Sequence, residues 1–128
     1  DKVLYHISGV MLGGLLTTFA ATTAQIWDKI GLSRKDGIES LSHMMKQVSI
    51  NLKTLGIPNA VAGPYARGDI GTVKKHLEEI HNKYPQILAL YCELALCTIP
   101  FAEEKGSINK ETRNEIYQII LKYKKLSF

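Results

Sequence analysis

The sequence predicts an all-α fold of about five helices arranged around a long, buried first helix. Three observations predict it. Apolar residues recur at spacings of three and four through most of the chain. No stretch shows convincing alternation of apolar and polar residues. Glycine or proline falls at the junctions between the periodic stretches, where helices begin and end. With 128 residues, 45% of them hydrophobic and 22% charged, the chain is the size of one ordinary domain. It is apolar enough to bury one core, so residues 1–128 read as a single helical domain.

The first helix is expected from Val3 to Trp27, a segment without Lys, Arg, Asp or Glu. Its length alone admits a membrane span. His6, Ser8, four threonines and Gln25 interrupt it, and no cluster of Lys or Arg flanks it, which favours a central helix of a soluble protein and no membrane partner. Small residues at Gly9, Gly13, Thr17 and Ala21 share one face, where another helix can come close. Gly31 ends this helix, and Ser33 with Asp36 starts the next in the manner of a capping box. Its apolar stripe is Ile38, Leu41, Met45, Val48, Leu52 and Leu55, and Gly56 closes it. Residues 57–68, with Pro58, Gly63, Pro64 and Gly68, read as a loop. A third helix is expected from Asp69 to Lys83, with Ile70, Val73, Leu77 and Ile80 inward. Pro85 suits the first turn of a fourth, which carries Ile87, Leu88, Leu90, Tyr91, Leu94 and Leu96 and should kink or end at Pro100. After a loop at Lys105–Ser107, a last helix turns Ile116, Ile119, Ile120 and Tyr123 inward.

Composition excludes several classes of function. The net charge of +4 collects partly at the C-terminal end, in Lys122, Lys124 and Lys125, where cations suit a helix C-terminus. No RNA-binding aromatic motif or zinc-finger spacing accompanies it, so no nucleic-acid partner is expected. Cys92 and Cys97, five apart on one helix, point to different sides and cannot bridge. That fits a reducing, cytoplasmic setting. The histidines are scattered, with His76 and His81 also five apart, so no metal site is expected. There is no phosphate-binding glycine loop and no nucleophile elbow.

Four side chains remain as candidates for chemistry. His6, early in the uncharged first helix, is either a hydrogen-bonded structural histidine or a proton donor, since its charge can change near neutral pH. Asn51 interrupts the second helix beside the core position Leu52 and is either exposed or borders a cleft. Arg67, in the glycine-rich segment, is suited to bidentate binding of a carboxylate or phosphate, or else it holds the loop. Asp69 precedes a helical stripe, where its carboxylate can cap the free amides of the first turn. The tripeptide Arg67-Gly68-Asp69 matches an integrin-recognition motif, but the cysteine usage and the capping role of Asp69 oppose an adhesion loop.

The run from Asn51 to Leu77, NLKTLGIPNAVAGPYARGDIGTVKKHL, resembles the signature region of a helical C-terminal domain found in predicted Rossmann-like NAD(P)-dependent oxidoreductases. That domain itself carries the label of a domain of unknown function. The matching positions are Asn51, Leu55-Gly56, the run Ala62 to Asp69, Thr72-Val73 and His76-Leu77, together with Tyr5-His6, Pro85 and Leu90-Tyr91. The resemblance covers nearly the whole chain. It implies a fold similar to the C-terminal domains of 6-phosphogluconate dehydrogenase and pyrroline-5-carboxylate reductase. It also implies homodimerisation through the helical domain and a small-molecule substrate held between two domains. The cofactor, NADP or NAD, would be bound mainly by an N-terminal dinucleotide-binding domain absent from this sequence. The start at Asp1 and not at methionine suits a piece of a longer protein. On this resemblance His6 is the catalytic acid/base, and Asn51, Gly63, Pro64 and Arg67 bind substrate. The family's Ala-Ser-Asn run in the first helix is replaced here by Leu12-Gly13-Gly14, which removes an asparagine able to orient substrate. The competing reading is a non-catalytic helical dimerisation or interaction module.

Overall fold

The computed structural model describes residues 1–127, which are helical with no strand among them. The expected five helices are seven α-helices: α1 (Lys2–Met11), α2 (Gly14–Lys29), α3 (Arg34–Leu55), α4 (Pro64–Arg67), α5 (Ile70–Lys83), α6 (Leu88–Lys105) and α7 (Lys110–Lys124). A 3-10 turn at Pro85–Ile87 precedes α6. The chain divides into two compact units, one from Asp1 to Val48 and one from Ser49 onward, with the boundary inside α3.

The first unit corrects the expectation of one long buried helix. The helical path breaks at Gly13, whose backbone (φ −113°, ψ −98°) lies outside the helical region. A Cβ there would sit 2.8 Å from the carbonyl oxygen of Gly9, so only glycine fits this break. The Asp1 side chain caps α1 by accepting from the amides of Val3 and Leu4. Neither α1 nor α2 is buried: α1 has no buried residue and α2 has only Ala24. The reason is a shortage of covering atoms, because the one other helix of this unit is the start of α3. Gly31, at φ 79°, turns the chain between α2 and α3, and Ser33 Oγ accepts the Asp36 amide at 3.1 Å to open α3. The α3 stripe is likewise open, with Ile38, Val48, Leu52 and Leu55 all exposed and only Gly37 buried. Trp27 lies directly against Gly37. A groove of about 250 Å³ separates the two helices, walled by Leu16, Phe19, Leu41, Met44, Met45 and Val48.

The second unit has a true core: Tyr65, Val73, Leu77, Leu88, Cys92, Ala95, Ile99, Ile116 and Ile120. The α5 stripe is as expected, with Val73 and Leu77 fully buried and Ile70 and Ile80 packed beside them. The inward face of α6 differs. Leu88, Cys92, Ala95, Ile99 and Ala102 are buried, whereas Leu90 and Leu94 are exposed. Small side chains at that spacing let neighbouring helices approach closely. Pro100 does not end α6, which continues to Lys105 and stops at Gly106 in a left-handed conformation (φ 77°). The amide that proline lacks is one bond of an 18-residue helix whose buried Ile99 and Ala102 anchor the chain on either side. Asn109 caps α7, its side chain accepting the Thr112 amide at 2.8 Å. Two exposed ion pairs join α6 and α7, Glu103 with Arg113 at 3.0 Å and Glu93 with Lys124 at 2.5 Å. Exposed pairs of this kind add little stability.

Candidate functional site

The glycine-rich segment of the second unit is built by local backbone chemistry. Gly56 ends α3 in a left-handed conformation (φ 67°), and its carbonyl accepts the Ala60 amide at 2.8 Å. The Ile57–Pro58 peptide is cis. Lys105, at the end of α6, donates from Nζ to the Val61 carbonyl at 2.7 Å and ties the loop to the helical body. Gly63 then caps a single helical turn where the composition suggests only loop, with Pro64 in its first position. The Gly63 carbonyl accepts the amides of Ala66 and Arg67. Gly68 ends the turn at φ 68°, ψ 30°. Two constraints demand glycine there: the left-handed backbone, and the Thr112 and Ile108 methyls that a Cβ would meet at 3.0 and 3.3 Å.

Asp69 caps α5, as its position in the sequence suggests. Its carboxylate accepts the Thr72 amide at 3.1 Å and the Thr72 hydroxyl at 2.7 Å. The Thr72 hydroxyl, then the Thr72 amide, hold the Asp69 carboxyl below the usual aspartate range. Within the same turn Tyr65 and Ala66 point into the core. Arg67 points out. Its side chain is 62% exposed, with a loose contact from the guanidinium to Asp69 at 3.8 Å. Gly63, Pro64, Arg67 and Asp69 are thus brought together in one turn. Asn51 is half-buried near the end of α3 and takes part in an interaction. His6 belongs to the first unit, on the exposed α1.

The structure adds a polar group that sequence reasoning did not single out. Tyr91 on α6 lies with its hydroxyl 2.8 Å from His76 Nδ1 on α5. The Tyr65 ring meets the Tyr91 ring edge-on, with centroids 6.0 Å apart at 61°. Burial, and next the neighbouring Tyr91 phenol, push the Tyr65 phenol far above its ordinary value. Burial likewise raises Tyr91. Both hydroxyls therefore stay protonated through the physiological range. The available signal was Tyr65, the one aromatic residue inside the glycine-proline-arginine turn.

Among the described residues no group of three or more His, Cys, Asp or Glu side chains could hold a metal ion. Cys92 is buried and Cys97 exposed, and both are free. Two helical stretches, Lys2–Lys29 and Pro85–Lys105, are long and apolar enough by length and composition to cross a membrane. A third of the most apolar eighteen-residue window of the second is buried inside the protein, and none of the corresponding window of the first.

An all-α chain with one capped, glycine-framed turn presenting a single exposed guanidinium defines a helical domain with a candidate anion-binding turn. The chain belongs to the family described as Domain of unknown function (DUF2520), whose model matches residues 1–98 and so includes the whole turn. No curated protein and no solved structure matches the chain.

Proposed function

We propose that this chain is the C-terminal substrate-binding and dimerisation domain of an NAD(P)-dependent oxidoreductase, similar to the helical domains of 6-phosphogluconate dehydrogenase and pyrroline-5-carboxylate reductase. The carrying observation is Arg67. The other residues of its turn are occupied with local structure. Gly63 and Gly68 fit the backbone, Pro64 starts the turn, Tyr65 fills the core and Asp69 caps α5. The guanidinium is left exposed on a short, framed backbone, which suits bidentate capture of a carboxylate or phosphate on substrate or cofactor. The described residues contain no strand, so the βαβ unit that binds a dinucleotide would lie outside this sequence. A bound nicotinamide supplies the hydride. In this reading Arg67 orients the anionic group from the turn shaped by Gly63 and Pro64, Asn51 contributes to substrate binding, and His6 is assigned the exchange of the accompanying proton. The setting is cytoplasmic, with no nucleic acid, membrane or metal in the reaction.

Steady-state kinetics of the protein carrying its dinucleotide-binding domain test the assignment. Arg67→Ala raises KM for an anionic substrate, and His6→Ala lowers kcat with a changed pH profile. Unchanged turnover in both variants removes both roles. The second reading, a non-catalytic helical interaction module, is favoured by Leu12-Gly13-Gly14 in place of the family's Ala-Ser-Asn. Thermal denaturation with NADPH separates the two, because a ligand at a hundred times its Kd stabilises by about 2.7 kcal/mol. The interaction module shows no shift.

A further inference from the structure

Tyr91 and His76 form a polar contact that the proposed function does not use. Tyr91 Oη lies 2.8 Å from His76 Nδ1, with the two rings edge-on at 6.2 Å and 73°. His76 is exposed on α5, and Tyr91 is half-buried on α6. Behind Tyr91, from α4, stands Tyr65. It is 7% exposed, and its hydroxyl has no hydrogen-bond partner among the described residues. One unit thus lines up a buried phenol, a half-buried phenol and an exposed imidazole. A bond to one imidazole nitrogen decides what the other nitrogen presents.

The buried phenol decides the direction of the bond. Tyr65 and Tyr91 each carry one hydroxyl proton and two acceptor lone pairs. If His76 Nδ1 donated to Tyr91, the Tyr91 proton would turn toward Tyr65, and the Tyr65 proton would be left in the core without an acceptor. A buried donor in that position is costly. In the reverse arrangement Tyr65 directs its proton at Tyr91, the polar neighbour that acts on it, and Tyr91 directs its own at His76 Nδ1. Every proton then faces an acceptor, although Tyr65 stays short of a full hydrogen bond. A neutral imidazole that accepts on Nδ1 carries its proton on Nε2, here on an exposed ring.

His76 also stands in line with the Arg67 turn. Asp69, Thr72 and His76 follow at spacings of three and four, along one face of α5. Asp69 is the residue that the Arg67 guanidinium approaches at 3.8 Å. Seven residues of helix place His76 about 10 Å along the axis from Asp69. Arg67 and His76 are both exposed and both belong to the second unit, whereas His6 belongs to the first. A cation and an N–H donor so placed fit a ligand with an anionic group at one end and an oxygen or nitrogen acceptor at the other, a short chain of atoms apart.

We propose that His76, held by Tyr91 with its proton on Nε2, is a second ligand-binding group of the Arg67 site and donates a hydrogen bond to the acceptor end of a short-chain anion. This rests on the anion-binding role given to Arg67 above and adds the group at the other end of the ligand. In the reaction proposed there, that acceptor is the carbonyl or imine that receives the hydride. The imidazole polarises it and keeps its own proton. Tyr91 is a positioning residue, and Tyr65 sets the direction in which Tyr91 donates.

The test is nuclear magnetic resonance of the full chain, with the imidazole nitrogens observed at about pH 8, above the ordinary histidine value of about 6.5. Wild-type His76 is expected in the Nε2–H form, its Nδ1 signal displaced by the bond it accepts. Tyr91→Phe returns that signal to the position of a free imidazole, and Tyr65→Phe lets the Nδ1–H form appear. A wild-type His76 protonated on Nδ1, or one that Tyr91→Phe leaves unchanged, overturns the lock. The binding probes are adipate, with a carboxylate at each end, and acetate, with one. His76→Phe is expected to weaken adipate roughly three- to tenfold, the span of one hydrogen bond, and to leave acetate unchanged. Arg67→Ala weakens both. Equal adipate affinity in wild type and His76→Phe overturns the shared site while the Arg67 reading stands. Neither probe binding, or binding that Arg67→Ala does not weaken, removes the anion-binding reading and this proposal with it.

Discussion

Substituting Gly37 by alanine tests the packing of the first unit directly. An added Cβ would lie 2.9 Å from Cγ of Trp27 and 3.2 Å from Cδ1 and Cδ2. Carbon pairs are most stable at about 3.5–4.0 Å, so the indole must retreat by roughly half an ångström or more. Overpacking of this kind costs about 1–3 kcal/mol. Opposing it, alanine in a helix interior is favoured over glycine by about 1 kcal/mol. The two terms leave a net loss of between about zero and 2 kcal/mol. Urea unfolding reads it as a midpoint lowered by up to about 1 M for a slope typical of a small domain. Trp27 is the only tryptophan in the chain, so its emission reports on the same contact. In a Trp27→Ala background the clashing ring atoms are gone, and the same Gly37→Ala change should stabilise, a non-additivity expected only of touching residues. A Gly37→Ala protein more stable than the wild type by about 1 kcal/mol would refute the close approach, because the helix preference would then act unopposed.

Three further predictions concern the second unit. Leu77→Ala empties a fully buried site and should cost about 2–5 kcal/mol by chemical denaturation; a cost below about 1 kcal/mol would mean α5 is not packed as described. Gly68→Ala should destabilise by more than the roughly 1–2 kcal/mol of the left-handed backbone alone, since Thr112 and Ile108 must also yield; tolerance within a few tenths contradicts both constraints. Asp69→Ala should lose stability in a pH-dependent way. The folded carboxyl is held low, so its contribution is fully present above the ordinary aspartate value of about 4 and disappears as pH falls through the folded value. Urea midpoints of wild type and variant should therefore differ at neutral pH and converge in acid; a constant gap would assign the loss to something other than the ionised cap.

What is legible in the sequence is local. Asp69 two residues beyond Arg67 and Gly56 after the α3 stripe are read correctly because capping is decided within one turn of helix, whereas the end of α6, expected at Pro100, falls at Gly106. The stripe of α5 is legible because polar residues separate its apolar ones. The inward face of α6 is not. That helix is apolar nearly all round, so Leu90 and Leu94 compete with Cys92 and Ala95 for the core, and hydrophobicity cannot rank them. The burial expected of the first helix fails for a different reason. Hydropathy states which residues favour burial, not whether the same chain supplies the atoms to bury them. The hydrogen bond of Tyr91 with His76 spans fifteen residues and two helices, beyond any spacing rule. Arg67 is legible as a candidate by elimination, and the turn around it only as a loop.

The break at Gly13 bears on how His6 could act. It leaves α1 as a ten-residue helix with no buried side chain. Helices shorter than about 12–15 residues are marginal in water. Backbone amides of Ile7 through Met11 should therefore exchange with solvent deuterium far faster than those around Leu77, and occupancy of the exposed apolar face should slow them. The direction in which any α1 side chain points, that of His6 included, is then set less by the helix itself than by whatever the helix leans on.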